Sequence, residues 1–212
     1  MDGALHCRRA SVPEGPIDIA VLASGSGTNL QAMIDNPAVR PHISLVLSDR
    51  SGALALDRAG AAGIPSQVVA WSDHADRDSF SVAVADNVEA SGAKGVILAG
   101  FMRVLAPSFL DRFPDRVLNI HPSLLPAFPG AHAVEQALAH GVKVTGVTVH
   151  FVDEQVDNGP IVAQIAVRVL ADDTVESLHA RIQVEEHVLY PAVAEAFIEG
   201  RLMVEGRDVV WR

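Results

Sequence analysis

Val117-Leu-Asn-Ile-His-Pro-Ser-Leu-Leu-Pro-Ala-Phe-Pro-Gly-Ala-His132 opens as a short apolar strand and ends as a loop punctuated by proline and glycine. Asn119 and His121 stand two apart, so on an extended strand their side chains share a face. Pro122 has no N–H for a central ladder and takes the chain out of the sheet at the strand's C-terminal end. In an open α/β sheet that end is where ligands bind. An amide beside an imidazole suits a reaction in which an oxygen gains charge and a proton moves, since Asn donates and His transfers. The same pair fits an Asn that caps the strand end and an ordinary hydrogen-bonded His; spacing alone leaves both readings open.

Working outward, apolar runs at 17–22, 43–47, 68–70, 96–99 and 117–120 read as strands. Helical patterns alternate with them: one from the Gly-rich turn to about 36, then 53–62, 76–91, 107–113 and 133–140. This rhythm predicts an α/β fold with a mostly parallel sheet covered on both faces. Beyond Val142 the pattern changes. Two long β-rich runs, 144–152 and 161–170, have no helix between them. A helix over 174–199 follows, with Asp172, Asp173 or Thr174 as N-cap and a kink at Pro191. Residues 202–211, with Glu205-Gly206 at the centre, read as a terminal hairpin. No Pro/Gly/Ser-rich linker divides the chain, which predicts a single domain over 17–212 behind a disordered leader at 1–16.

The chain has 212 residues, long enough to bury a core without disulfide or metal staples. Cys7 is the only cysteine, so no internal disulfide forms, which fits a reducing cytoplasm. No apolar run approaches the ~20 residues that span a membrane, and residues 1–16 lack the apolar core of a signal peptide. The formal net charge of −10 argues against a broad nucleic-acid surface, which needs Lys and Arg against phosphates. Small anions remain compatible, because a helix N-terminus binds phosphate whatever the net charge.

Four further stretches bear on chemistry. Ser24-Gly-Ser-Gly-Thr-Asn29 occupies the first strand-to-helix turn, where close backbone approach and free N–H groups make an anion cradle, or simply a tight turn. It matches neither G-x-G-x-x-G nor the lysine-bearing P-loop. Ala99-Gly-Phe-Met-Arg-Val-Leu105 reads as the wall of a slot for a flat ring or as core, with Arg103 free to snorkel to solvent. Asp153-Glu154 and Asp157-Asn158-Gly159-Pro160 read as a solvated turn, or as the source of a carboxylate that keeps an imidazole protonated. Gln183 and Glu186, three apart, share a helix face that either meets hydroxyls or is simply wet. No metal-ligand spacing and no G-x-S-x-G elbow is present.

Together, Ser24-Gly-Ser-Gly-Thr-Asn-Leu30, Leu98-Ala-Gly-Phe-Met-Arg103, Asn119-Ile-His-Pro-Ser-Leu-Leu-Pro126 and His150-Phe-Val…Asp157 resemble the phosphoribosylglycinamide formyltransferases, folate-dependent enzymes of purine synthesis. The match runs in order from about Ile17 to Trp211, and the Asn-Ile-His-Pro-Ser-Leu-Leu-Pro signature is specific to folate formyltransferases. The resemblance implies a Rossmann-like formyltransferase fold, with a phosphate-binding half to about 115 and a folate-binding, catalytic half after it. It implies 10-formyltetrahydrofolate as co-substrate, glycinamide ribonucleotide as acceptor, and no metal. Carried over residue by residue, Gly27, Thr28 and Asn29 match the phosphate turn; Gln183 and Glu186 match the ribose helix. Arg77 matches an arginine that meets the folate, and Met102, Arg103, Val104 and Leu105 match the strip lining the pterin pocket, largely through backbone. Asn119, His121 and Asp157 match the catalytic three, with Asn119 also facing the folate's formyl group.

Asn158 stands where family members often carry a first glycine, and Ala127 where a basic residue is frequent. Two rivals share the chemistry. Methionyl-tRNA formyltransferases usually have Arg-Gly-Ala-Ala-Pro after the Leu-Leu-Pro and a basic C-terminal domain; formyltetrahydrofolate deformylases usually have a second His where Pro122 stands. A phosphate-binding α/β module without catalysis is the alternative from another class. Exposed strands or the terminal hairpin would support a homodimer.

Overall fold

Ile19–Leu22 forms β1, and all four of its residues are buried, as expected of a strand with both faces covered. Ile19 and Val21 join one apolar cluster while Ala20 and Leu22 join another, so successive residues feed opposite faces of the sheet. The structure is a computed structural model that describes residues 15–212. The expected leader at 1–16 lies outside these residues except for Gly15 and Pro16, and so does Cys7.

The other strands are β2 (Ile43–Ser48), β3 (Ser66–Val68), β4 (Gly95–Leu98), β5 (Val117–His121), β6 (Val144–Phe151) and β7 (Ile161–Arg168). They form one seven-stranded sheet in the order β3-β2-β1-β4-β5-β6-β7. Pairing is parallel from β3 through β5; β6 and β7 are added antiparallel. The chain reverses direction across the sheet between β1 and β4, the switch point at which α/β sheets open a crevice.

The helices are α1 (Thr28–Asp35), α2 (Leu54–Ala61), α3 (Arg77–Ala90), α4 (Pro107–Leu110), α5 (Ala133–Ala139) and α6 (Val175–Ile198). Leu30 and Met33 of α1, Ala55 and Ala59 of α2 and Leu178, Ile182 and Tyr190 of α6 cover one face. Phe80, Val84 and Val88 of α3 and Phe109 of α4 cover the other. Capping boxes start the two longest helices: Asp76 with Ser79 for α3, and Thr174 with Ser177 for α6. α6 runs unbroken through Pro191.

Three boundaries differ from the sequence reading. β3 lies at 66–68 rather than 68–70, because it is an exposed edge strand without the apolar alternation that marks a strand. α4 stops at Leu110, although Phe113 beyond it is still buried. β7 stops at Arg168 rather than 170, while α1 begins within the glycine-rich turn at Thr28, after a left-handed Gly27.

A two-stranded hairpin, β8 (Leu202–Glu205) and β9 (Asp208–Trp211), turns at Gly206 and closes the chain. It is tied to the loop between β6 and β7 and to the start of β7. Arg207 Nη1 donates to the Asn158 carbonyl at 2.6 Å, and Trp211 Nε1 to that of Val162 at 3.2 Å.

Candidate active site

Asn119 and His121 sit at the carboxyl end of β5, where the ladder stops at Pro122. The antiparallel register sets Asn119 opposite His150 and His121 opposite Thr148. Thr148 and Gln164 then hold the proline-rich loop. Thr148 Oγ1 donates to the Ser123 carbonyl at 2.7 Å and accepts from the Leu125 amide at 3.0 Å, and Gln164 Nε2 donates to the Leu125 carbonyl at 2.9 Å.

Asp157 reaches this strand end from the loop after β6. Its backbone is left-handed, φ 51°, a conformation that L residues rarely adopt. Two residues on, Gly159 passes so close to Phe151 that an added Cβ would lie 1.8 Å from its carbonyl oxygen. Only glycine fits there. Asn158, in place of the family's frequent glycine, donates through Nδ2 to Asp153 Oδ2 at 2.8 Å and so closes the loop on itself.

The carboxylate of Asp157 gathers four groups. Oδ2 lies 3.2 Å from His121 Nδ1 and accepts from the Gly130 amide at 2.7 Å. Oδ1 faces Asn119 Nδ2 at 3.4 Å and His150 Nε2 at 3.5 Å. Burial pushes the Asp157 carboxyl up, but hydrogen bonds from His150 and the Gly130 amide, with the charges of His121 and His150, outweigh it. The net result lies below the ordinary carboxylate value.

The two histidines differ in what their rings meet. His121 Nε2 is 2.8 Å from the Phe128 carbonyl, so both of its nitrogens face oxygen acceptors. Only the doubly protonated ring satisfies both. His150 Nδ1 donates to the Phe151 carbonyl at 2.8 Å, and its Nε2 lies 3.2 Å from Asn119 Nδ2. That nitrogen therefore stands between the Asn119 amide and the Asp157 carboxylate. His150 was quoted in the motif but given no role by sequence reasoning. The signal was there, since Thr148 and His150 alternate as polar residues on an apolar strand two apart, as Asn119 and His121 do.

The glycine turn lies at the same edge of the sheet. Gly27 has φ 68° and caps α1; a Cβ on it would come 2.8 Å from Ala55. Asn29 Nδ2 donates to Glu186 Oε2 at 2.9 Å, which joins the turn to the helix carrying Gln183 and Glu186, while Asn29 Oδ1 is buried without a partner among the described residues. Ser24 connects the turn to the segment after β4: its amide donates to the Gly100 carbonyl at 3.1 Å and its Oγ accepts from the Met102 amide at 2.8 Å. A groove of about 660 Å³ runs from Thr28 between α1 and α6, past Gln31, His187 and Pro191, without reaching the Asp157 cluster.

Of the remaining expected site residues, Met102 and Val104 are exposed and Leu105 is buried. Arg103 does not snorkel: its Nε donates to the buried Asp49 at 2.8 Å, because that carboxylate offers it a partner inside the fold. Arg77 opens α3 with an exposed side chain that touches none of the clustered groups, and Gln183 is half-buried one turn before Glu186. Among the described residues no three His, Cys, Asp or Glu side chains gather where a metal ion would sit, and no helix is long and apolar enough to cross a membrane.

A Rossmann-like sheet with a glycine turn after its first strand, and an amide, an imidazole and a carboxylate at its carboxyl edge, defines an α/β enzyme of the group-transfer kind. The family profile described as formyl transferase matches residues 17–194, and the chain belongs to that family. It is 46% identical over 198 residues to the Mycobacterium tuberculosis protein named phosphoribosylglycinamide formyltransferase, covering 92% of this chain and 91% of that one. It is 44% identical to the Drosophila melanogaster trifunctional purine biosynthetic protein adenosine-3, covering 88% of this chain but spanning only 14% of the fly protein. The crystal structure of glycinamide ribonucleotide transformylase 1 from Symbiobacterium toebii superposes with a TM-score of 0.90 at 49% identity, over 94% of this chain and 95% of that one.

Proposed function

We propose that the chain transfers the formyl group of 10-formyltetrahydrofolate to the amine of glycinamide ribonucleotide, giving formylglycinamide ribonucleotide and tetrahydrofolate. The observation that carries this reading is the meeting of Asn119, His121 and Asp157 at one strand end, at the same sheet edge as a glycine turn tied to Glu186. Its partners in this reading are the two small molecules.

The substrate amine attacks the formyl carbon, so no protein nucleophile is required. As the C–N bond forms, negative charge grows on the formyl oxygen; when the bond to the folate nitrogen breaks, that nitrogen takes the proton the amine loses. His121, satisfied as a cation by Asp157 and the Phe128 carbonyl, supplies positive charge beside the oxygen. Asn119 supplies a neutral donor. One of its amide hydrogens faces His150 at 3.2 Å and the other Asp157 at 3.4 Å. The second contact is at the long end for a hydrogen bond and is the one given up to the formyl oxygen. Asp157, ionised at neutral pH, is the acceptor through which the amine's proton passes on its way to the folate nitrogen. Gly27, Thr28 and Asn29 hold the phosphate with backbone N–H groups at the start of α1, and Gln183 and Glu186 meet the ribose. Met102, Arg103, Val104 and Leu105 line the pterin side, with Arg77 toward the folate's outer end.

The test is to mix the protein with both substrates, follow tetrahydrofolate by absorbance and identify the ribonucleotide product by mass. Formate without formylglycinamide ribonucleotide would favour the deformylase. Binding of the ribonucleotide with no consumption of formyl-folate would leave only a binding module.

A further inference from the structure

One buried charge has no part in the reaction as set out above. Asp49, just after β2, has a side chain with 0% exposure. Its Oδ2 accepts from Arg103 Nε at 2.8 Å and lies 3.7 Å from Arg50 Nε, while Oδ1 is buried and makes no hydrogen bond among the described residues. Taking a carboxylate out of water is unfavourable, and one close ion pair and one long one, both on the same oxygen, offset that only in part. An apolar side chain of similar size would serve stability as well. The charge therefore points to a task of placement rather than of holding the fold together.

Arg103 is what Asp49 holds. Its guanidinium also lies 4.9 Å from the centre of the Trp71 ring, and Trp71 leans on Phe80 at 5.1 Å. Arg103 belongs to a strip fixed at its two ends by side chains of other elements. The Met102 amide donates to Ser24 Oγ at 2.8 Å and the Ala106 amide to Ser81 Oγ at 2.9 Å. Between these anchors, no backbone hydrogen bond within the described residues engages 103, 104 or 105. Val104 is exposed, so only the Arg103 and Leu105 side chains hold the middle of the strip.

We propose that Asp49 is a positioning residue for the folate: through Arg103, braced on Trp71, it fixes the path of the strip 102–105 whose unpaired backbone groups meet the pterin. This rests on the reading of the chain as a formyl-folate enzyme. Arg103 faces away from the ligand in this arrangement and contributes its backbone. Without the carboxylate, its guanidinium is drawn to water and the strip loses its set path. Affinity for folate then falls, while the chemistry of the bound complex and the grip on the ribonucleotide are untouched.

The experiment is steady-state kinetics on wild type, Asp49→Asn, Arg103→Gln and the double variant, with KM measured for each substrate separately. Asp49→Asn raises the KM for 10-formyltetrahydrofolate ~10-fold with kcat and the ribonucleotide KM within about twofold, since interactions uniform in ground and transition states appear in KM. The double variant is no worse than the poorer single, as expected of two groups acting through one contact. An unchanged folate KM, or a fall in kcat alone that tracks lost thermal stability, overturns the proposal. Should Asp49→Asn not fold, Trp71→Leu at a half-exposed site reads the same shift in folate KM, and no shift there is equally fatal. If wild type makes no product, the proposed activity fails instead. Tetrahydrofolate titrated by calorimetry then judges Asp49 alone: equal affinity for wild type and variant refutes its role, and tighter binding to wild type supports it.

Discussion

The ring of His121 is held between two oxygens, Asp157 Oδ2 at 3.2 Å from Nδ1 and the Phe128 carbonyl at 2.8 Å from Nε2. Asp157→Asn keeps the shape but replaces the charge that makes the cationic ring favourable. kcat is expected to fall by ~10²-fold or more, the scale of a lost acid–base group. Turnover near wild type would remove Asp157 from the mechanism.

In the proposed reaction, Asn119→Ala deletes the neutral donor beside the formyl oxygen. Loss of one such donor typically costs ~3–4 kcal/mol of transition-state stabilisation, or about 10²–10³ in kcat. The substrate KM values should move far less. If instead KM rises and kcat holds, Asn119 binds the ground state and does not serve the transition state.

Asp157 also bears on stability. Its folded carboxyl lies below the ordinary value, so its stabilising contribution is present above the unfolded value of ~3.9 and is lost as pH falls through the folded value. The urea midpoint of wild type, minus that of Asp157→Asn, should be level from pH 5 to neutrality and shrink below pH 4. A gap that stays constant into stronger acid would mean that the carboxylate's charge is not its source.

Gly27→Ala forces a Cβ to within 2.8 Å of Ala55 at φ 68°. Left-handed backbone costs a non-glycine residue ~1–2 kcal/mol before the clash is counted. A chain of this length should melt several degrees lower, and the ribonucleotide KM should rise more than the folate KM. Equal effects on the two would detach the turn from the phosphate.

Much of this arrangement was legible in the sequence because it follows from local rules. Pro122 ends β5 at the residue it had to, and Gly27 marks a turn that no side chain could enter. Alternation of helix and strand was enough for the parallel part of the sheet. The meeting of Asp157 with His121 was not legible from spacing; it depended on family likeness, since 36 residues separate them and the join is made by the β5–β6 register. His150 was overlooked for the same reason: its importance lies in standing across from Asn119, which a one-dimensional reading does not show. Arg103 was misread because an arginine near an apolar run has two refuges, water or a buried acid. Asp49, fifty-four residues earlier, gives no local sign of being that acid.

The β8–β9 hairpin touches the neighbourhood of Asp157 directly, through Arg207 on the carbonyl of Asn158 and Trp211 on that of Val162. The segment that presents Asp157 is thus buttressed by that hairpin. Altering that hairpin is an intervention at the proposed active centre, whatever its distance in sequence suggests.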